Sequence, residues 1–156
     1  MRIIFLDIDG VLASFDYLRI ISHLKEKNPD KYGYAFDLRC VKNLQWILNE
    51  CPDVKIVISS SWKFMKLHNL LDMWKIRELP GEIIDVTPDL LHTPIETSRG
   101  MEIDEWLSKH PEVERYVIID DDSDMLESQL NNFIKTNPTY GLTVEDSVKV
   151  IQILIS

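Results

Sequence analysis

Two carboxylates, Asp7 and Asp9, directly follow an apolar run at residues 3–6. Because successive side chains of a strand point to opposite faces, residues two apart project in the same direction. Like charges held so close repel each other, and burial adds a desolvation cost. Either a hard divalent cation with oxygen ligands, above all Mg²⁺, or protonation of one carboxyl group would offset that cost. The pair therefore predicts a metal site or an acid–base site at the end of a buried strand.

A second acidic group follows another apolar run, residues 116–119. Its members are Asp120, Asp121, Asp122 and Asp124. An acidic loop that starts a helix would explain several of them, but it does not readily explain Asp120, which directly ends the predicted strand. A calcium loop of the EF-hand type does not match, because its glycine and its terminal Glu are absent.

Hydroxyl and basic residues lie next to two further predicted elements: serines at the end of a strand and an arginine before a helix. Ser59, Ser60 and Ser61 end a strand-like run, where hydroxyls and backbone N–H groups can form a small cradle for an anion. Three serines before a helix are, on their own, more often a turn and an N-cap. Trp62 follows them and is the tryptophan nearest to a candidate site. Arg99 precedes another helical pattern and gains weight only if an anionic group needs a fixed positive partner.

Strand-like runs alternate with helix-period segments along the whole chain. The predicted strands are 2–7, 54–59, 82–86, 116–120 and 132–136. The predicted helices are 15–27, 38–50 after an Asp37 N-cap, 62–77, 100–109, and a last helix that starts with the capping pattern of Thr143 and Asp146. This alternation predicts an α/β fold with a central parallel sheet and helices on both faces. In such sheets ligands bind beyond the carboxyl ends of the strands, so every candidate residue must lie there.

Composition is that of an ordinary globular protein, with 45% hydrophobic and 28% charged residues among 156. That length predicts one domain over residues 1–156. A net charge of −9 argues against nonspecific binding to nucleic acid. Cys40 and Cys51 fit no metal-binding pattern and predict reduced thiols. Because no apolar run suits a signal peptide or a membrane span, we expect a cytoplasmic protein without a membrane partner.

Taken in chain order, these groups resemble the motifs of the haloacid dehalogenase-like (HAD) superfamily of phosphotransferases. Its motifs are a DxD pair, a Ser or Thr that ends the next core strand, a Lys or Arg, and a second pair of acids. The matching residues are Asp7 and Asp9, Ser59 or Ser60, Arg99, and Asp120 with Asp121. The resemblance spans nearly the whole chain and implies a three-layer, Rossmann-like HAD fold. Segments 57–62, 99–107, 118–122 and 141–143 also look like the small HAD domains grouped with "Swiss Army Knife" RNA-repair proteins.

The resemblance implies a Mg²⁺-dependent phosphomonoester hydrolase, that is, a phosphatase. Asp7 would attack phosphorus and form an aspartyl-phosphate intermediate. Asp9 would protonate the leaving oxygen and then deprotonate the attacking water. Ser59 or Ser60, together with Arg99, would hold the nonbridging oxygens of the phosphoryl group.

Mg²⁺ is the implied cofactor. Its implied ligands are the carboxylate of Asp7, the backbone carbonyl of Asp9, and Asp120 with Asp121. A shift by one residue to Asp121 and Asp122 stays open, because strand ends read from sequence are commonly wrong by a few residues. Asp124 is a candidate for a more distant contact through a metal-bound water.

Substrate choice in this superfamily usually comes from cap insertions. Residues 14–36 have room for one short helix and a loop, and residues 62–98 for about one helix, a short strand and the loop 87–97. We therefore expect no cap or a minimal one around residues 14–36. Such an open site suits substrates too large to be enclosed, such as nucleic-acid ends or phosphoproteins, or a partner that supplies the lid. The expected partner is a phosphorylated substrate, either a small molecule or a nucleic-acid end. The net charge of −9 weighs against polynucleotides unless lysines gather around the mouth, namely Lys25, Lys27, Lys31, Lys63 and Lys66.

Two other classes of protein remain as alternatives. A receiver-like signalling domain also gathers acids, a hydroxyl and a cation on an α/β sheet, but it is phosphorylated on an acid after a middle strand. The strongest acidic motif of this chain follows the first strand instead. A catalytically inert, phosphate-binding scaffold would need a lost catalytic residue, and every motif is present. The oligomeric state stays open.

Overall fold

The computed structural model describes residues 1–90 and 96–156, so the predicted loop 87–97 lies partly outside it. Within these residues, five strands form one sheet in the order β3-β2-β1-β4-β5, and all neighbours are parallel. The strands are β1 (Arg2–Leu6), β2 (Val54–Ile58), β3 (Ile83–Val86), β4 (Arg115–Asp120) and β5 (Phe133–Lys135). Because β1 lies at the centre, its carboxyl end is flanked by those of β2 and β4.

Helices cover both faces of this sheet. They are α1 (Phe15–His23), α2 (Leu38–Glu50), α3 (Leu67–Ile76), α4 (Arg99–Ser108) and α5 (Val144–Ile155). On one face, Ile4 and Leu6 of β1 belong to a large core that includes residues of α2, α3 and α5. On the other face, Ile3 and Phe5 pack in a smaller core with Trp106 of α4. The predicted three-layer, Rossmann-like α/β fold is confirmed.

Two predicted helices are shorter than expected. The helix predicted over 62–77 is divided into a 3₁₀ turn, Ser61–Met65, and α3, because Lys66 has a φ of 73°. That left-handed backbone conformation cannot continue a right-handed helix. The helix predicted to end at residue 27 stops at His23, since Lys25 has a φ of 52°. The predicted caps Asp37 and Thr143 are both present.

Residues 14–36 contain α1 and a loop, and their role as a minimal cap stays a prediction. We call residues 28–36 the flap. Arg77, just after α3, holds the flap: it donates to both carboxylate oxygens of Asp30 at 2.8 Å and to the carbonyl oxygens of Gly33 and Tyr34 at 3.1 and 2.8 Å. The side chains of Arg77 and Asp30 are only 7% and 10% exposed. The flap is therefore fixed to the body of the fold by a buried ion pair.

The remaining expectations about the whole chain concern the state of its cysteines, the absence of membrane-spanning helices and the number of domains. Cys40 and Cys51 are buried free thiols, as predicted. No helix within residues 1–90 and 96–156 is long and apolar enough to cross a bilayer. The assignment of residues 1–156 to one domain stays a prediction.

Candidate active site

Asp7 lies directly beyond the carboxyl end of β1. Its backbone N–H donates to the carbonyl of Ile119 at 3.0 Å, and the N–H of Ile8 donates to its carboxylate at 2.7 Å. Gly10 turns the chain next with a φ of +77°, and a Cβ there would lie 2.6 Å from the Cγ of Asp121. Only glycine satisfies both the backbone conformation and this close approach. The glycine that follows β1 is thus required in part by the close approach of Asp121, which follows β4.

The two acidic groups of the sequence meet at this edge of the sheet. Carboxylate oxygens of Asp7, Asp120 and Asp121 all lie within 4.8 Å of one another. Burial and the neighbouring charge of Asp7 raise the pKa of Asp120 to about 8 and that of Asp121 to about 6. Such crowding of hard oxygen donors fits Mg²⁺, which would offset the repulsion that adds to the effect of burial on these pKa values.

Arg99 lies among the same acids. Its Nη1 is 3.1 Å from a carboxylate oxygen of Asp7 and 3.1 Å from one of Asp120, and it donates to the carbonyl of Ser59 at 2.7 Å. Burial alone would lower the pKa of Arg99, but the charges of Asp120 and Asp7 raise it. The guanidinium therefore stays charged and balances part of the acidic cluster.

The first turn of α4 fixes Arg99 in place. The N–H of Arg99 donates to the carboxylate of Asp124 at 2.8 Å, and the next residue, Gly100, packs so closely that a Cβ would lie 2.6 Å from the backbone N of Leu126. Asp124 thus serves as a partner of the helix start. The carboxylate of Asp122 accepts from the N–H of Ser123 at 2.7 Å instead of joining the cluster. Of the acids at the carboxyl end of β4, Asp120 and Asp121 are therefore the pair that lies beside Asp7, and Asp122 lies outside this cluster.

The two candidate phosphate-binding serines differ in their partners. The Oγ of Ser59 is buried and has no hydrogen-bond partner in the part of the chain that the structure describes, whereas the Oγ of Ser60 accepts from the N–H of Trp62 at 3.4 Å. A buried hydroxyl without a partner is costly, and a bound ligand oxygen would satisfy it. This contrast favours Ser59 as the ligand-binding serine and assigns Ser60 to the 3₁₀ turn that follows.

Asp9 has two partners that sequence reasoning did not assign. The hydroxyl of Tyr34, in the flap, donates to Oδ1 of Asp9, and Nε1 of Trp62 donates to Oδ2 at 3.1 Å. Burial and the hydrogen bond to Asp9 raise the pKa of Tyr34, so its hydroxyl stays protonated. The only signal in the sequence was the position of Trp62 beside the serines, and nothing there pointed to Tyr34.

Of the lysines considered for the mouth of the site, Lys63 has a different role. Its Nζ lies 2.5 Å from a carboxylate oxygen of Glu102 and donates to the carbonyl of Pro88 at 3.0 Å. Both charged side chains are largely buried. Beside this pair, a shallow cleft of about 170 Å³ is lined by residues that include Arg99 and Phe64. Lys63 is thus engaged inside the fold and does not supply a free charge at the mouth.

One comparison with known proteins identifies relatives of the chain. A family model described as "HAD domain in Swiss Army Knife RNA repair proteins" matches residues 3–147, from β1 into α5. No curated protein and no solved structure matches the chain. The match includes every candidate site residue described above and confirms the resemblance inferred from the motifs.

Proposed function

The chain belongs to the family of HAD domains in Swiss Army Knife RNA repair proteins, and from that membership we propose that it is a Mg²⁺-dependent phosphatase of phosphomonoesters. Family membership makes it a hydrolase of the HAD superfamily. The observation that carries the finer proposal is the cluster of Asp7, Asp120 and Asp121 within 4.8 Å, at the carboxyl edge of a parallel sheet. A nucleophilic acid beside two further acids suits an enzyme that brings a cation and a phosphate together.

The carboxylates of Asp7, Asp120 and Asp121, with the backbone carbonyl of Asp9, would hold Mg²⁺. When bound, the ion supplies positive charge that reduces the repulsion between the attacking carboxylate and the phosphate dianion. Arg99 already contacts Asp7 and Asp120 at 3.1 Å, so this chain provides part of that positive charge itself.

In the proposed first step, a carboxylate oxygen of Asp7 attacks phosphorus and forms an aspartyl-phosphate. The bond between phosphorus and the leaving oxygen breaks, and Asp9 gives its proton to that oxygen. In the second step, Asp9 takes a proton from a water molecule whose oxygen attacks phosphorus. The bond to Asp7 then breaks, which releases inorganic phosphate and restores both acids.

The buried Oγ of Ser59 and the guanidinium of Arg99 would hold the nonbridging oxygens of the phosphoryl group. Ser59 has an unused buried hydroxyl, and Arg99 donates to the carbonyl of that same residue at 2.7 Å. Ser59 follows β2 and Arg99 begins α4, so both groups would require little reorganisation as charge develops on the phosphoryl oxygens.

We propose further that the substrate is the phosphorylated end of a nucleotide or polynucleotide. The printed description of the family supports this class, since it names RNA repair. The short flap also supports it, because residues 14–36 hold no domain that would enclose a substrate. The net charge of −9 acts in the other direction, so binding would depend on the phosphate end more than on the length of the polynucleotide.

The test of the reaction is hydrolysis of p-nitrophenyl phosphate by the purified protein with Mg²⁺ and with EDTA. We expect turnover only with the metal, and a loss of about 10³-fold or more in Asp7→Asn, which cannot form the aspartyl-phosphate. The matched control is Asp104→Asn, an exposed acid of α4, which should behave like wild type. Turnover by Asp7→Asn at the wild-type rate, or no turnover of any phosphomonoester by wild type, would contradict the proposal.

The substrate class needs a separate panel. Oligonucleotides with a 3′-phosphate or a 5′-phosphate, nucleoside monophosphates and sugar phosphates are compared at equal concentration by phosphate release. We expect the highest kcat/KM for a nucleotide or oligonucleotide end. A preference for sugar phosphates would overturn the substrate class while leaving the phosphatase reaction intact.

A further inference from the structure

We propose that Tyr34 and Trp62 are positioning residues that fix the carboxyl group of Asp9 for proton transfer. The inference rests on the proposed function, in which Asp9 serves first the leaving oxygen and then the water. It gives the flap a role within the site, as the carrier of one of the two groups that orient this acid.

The two donors contact different oxygens of the same carboxyl group. The indole N–H of Trp62 meets Oδ2 at 3.1 Å, and the hydroxyl of Tyr34 meets Oδ1. An indole N–H can only donate, whereas a tyrosine hydroxyl can donate or accept. Oδ2 therefore always acts as an acceptor, and Oδ1 is the oxygen that can carry a proton. With both oxygens engaged, the plane of the carboxyl group is defined.

An aromatic cluster holds the two donors. The rings of Tyr34 and Trp62 meet edge to face with centroids 5.3 Å apart, and Phe36 meets Trp62 in the same way at 5.4 Å. Edge-to-face contacts of this kind restrict the rotation of each ring. The Tyr34 hydroxyl and the Trp62 N–H are thereby aimed at Asp9 by packing as well as by their hydrogen bonds.

The flap itself is anchored at a distance from the chemistry. Arg77 donates to the carbonyl of Tyr34 at 2.8 Å and holds Asp30 through two hydrogen bonds of the same length. Its guanidinium also lies 4.9 Å from the ring of Phe36. The backbone of Tyr34 is therefore tied to the end of α3, and its side chain reaches Asp9 from a fixed base. These contacts describe a brace and require no closing movement of the flap.

The test separates orientation of a proton donor from a general structural role. The variants are Tyr34→Phe and Trp62→Phe, which keep an aromatic ring but remove the hydrogen bond to Asp9. The matched control is Tyr32→Phe in the same flap, because the hydroxyl of Tyr32 donates to Asp72 and not to Asp9. Each protein is assayed with p-nitrophenyl phosphate and with an alkyl phosphate, glycerol 2-phosphate, and kcat/KM is compared because it reports formation of the aspartyl-phosphate.

We expect kcat/KM for glycerol 2-phosphate to fall by about 10²-fold in Tyr34→Phe and in Trp62→Phe, since its alkoxide leaving group needs the proton. For p-nitrophenyl phosphate, whose leaving group departs without protonation, we expect a loss below about 3-fold. Tyr32→Phe should match wild type with both substrates. Equal losses with both substrates, or the same selective loss in Tyr32→Phe, would overturn the inference.

A second measurement needs no activity. The indole N–H resonance of Trp62 is assigned by its disappearance from the ¹H–¹⁵N spectrum of Trp62→Phe. We expect this resonance to move upfield in Asp9→Asn, because an amide replaces the carboxyl group whose Oδ2 accepts from the indole N–H. An unmoved resonance would overturn the inference. If wild type hydrolyses no phosphomonoester, the proposed function fails by itself, and this spectrum still decides whether Trp62 binds Asp9.

Discussion

On the metal side of the site, the carboxylates of Asp7, Asp120 and Asp121 crowd around one arginine, whereas on the flap side the acids have their own donors. Burial, followed by the neighbouring charge of Asp7, raises the pKa of Asp120 to about 8. In the flap, the hydrogen bonds from Arg77 lower the pKa of Asp30. The difference teaches that the acid of the flap is balanced by its own arginine, whereas the metal side keeps an excess of negative charge that the proposed Mg²⁺ would offset.

The two sides therefore affect stability in opposite directions as pH changes. An acid whose pKa is raised by folding binds its proton more tightly in the native state, so without metal Asp120 reduces stability as pH rises from about 4 to about 8. An acid whose pKa is lowered by folding contributes stability above its unfolded pKa, and this is lost in acid. The acids of the metal side thus carry a stability cost in the protein without a metal, which the proposed Mg²⁺ would offset, while the flap side contributes stability.

The largest expected effect on activity comes from replacing one acid of the metal side. We predict that Asp120→Asn reduces kcat/KM by about 10³-fold or more and weakens Mg²⁺ binding, measured by calorimetry, because a neutral amide replaces a charged ligand. In EDTA at pH 8 the variant should be at least as stable as wild type in urea, since it removes a buried like charge. That measurement shows that the loss of activity is not a loss of folding.

Asp122→Asn is the matched comparison for this prediction. The Asp122 carboxylate accepts from Ser123 and lies outside the cluster, so we expect Mg²⁺ affinity within about 3-fold of wild type. If Asp122→Asn lost metal binding while Asp120→Asn kept it, the ligand pair would be shifted by one residue along the chain. The assignment of the metal side would then be wrong.

The meeting of Asp7 with Asp120 and Asp121 could be predicted from the sequence because it follows from a rule about strands. Asp7 and Asp120 each come directly after a buried apolar run, and the carboxyl ends of parallel strands meet at one edge. The fold followed from the same alternation of elements, and each predicted β-strand boundary lies within one residue of the observed one. Sequence reasoning could not choose between Ser59 and Ser60, because that choice depends on which hydroxyl lacks a partner in three dimensions.

The flap side could not be predicted because its contacts join distant segments through a loop. Tyr34 meets Asp9 across 25 residues, and Arg77 meets the carbonyl of Tyr34 across 43. No periodic pattern predicts the position of a residue in a loop, and a sequence does not distinguish a buried arginine from an exposed one. The break at Lys66 was missed for a related reason, since its left-handed φ follows from the tertiary path of the chain rather than from its residue type.

The next prediction concerns Arg77, the residue that anchors the flap. Arg77→Met leaves the buried carboxylate of Asp30 without its partner, and we expect the free energy of unfolding in urea to fall by about 3 kcal/mol. Amide hydrogens of the flap should also exchange faster than those of β1. The matched control is Arg19→Met. The side chain of Arg19 pairs with Asp16 and is 79% exposed, so its replacement should lower the free energy of unfolding by less than about 0.5 kcal/mol. Equal losses in the two variants would show that the flap is not held by this ion pair.

The smallest expected effect sharpens the contrast in pH dependence. In Asp30→Asn the side chain can still accept one hydrogen bond from Arg77, so we expect a loss of about 2 kcal/mol at pH 7. Because Arg77 lowers the pKa of Asp30 below its usual 3.8, its contribution is fully present above that value and disappears as pH falls below it. The difference in unfolding free energy between wild type and Asp30→Asn, measured in urea at pH 7, 5 and 3, should therefore stay constant to pH 5 and shrink at pH 3. The acids of the metal side titrate in both proteins, so their effect on the unfolding free energy cancels in this difference. A difference that is as large at pH 3 as at pH 7 would mean that the flap is stabilised by packing and not by the charge of Asp30.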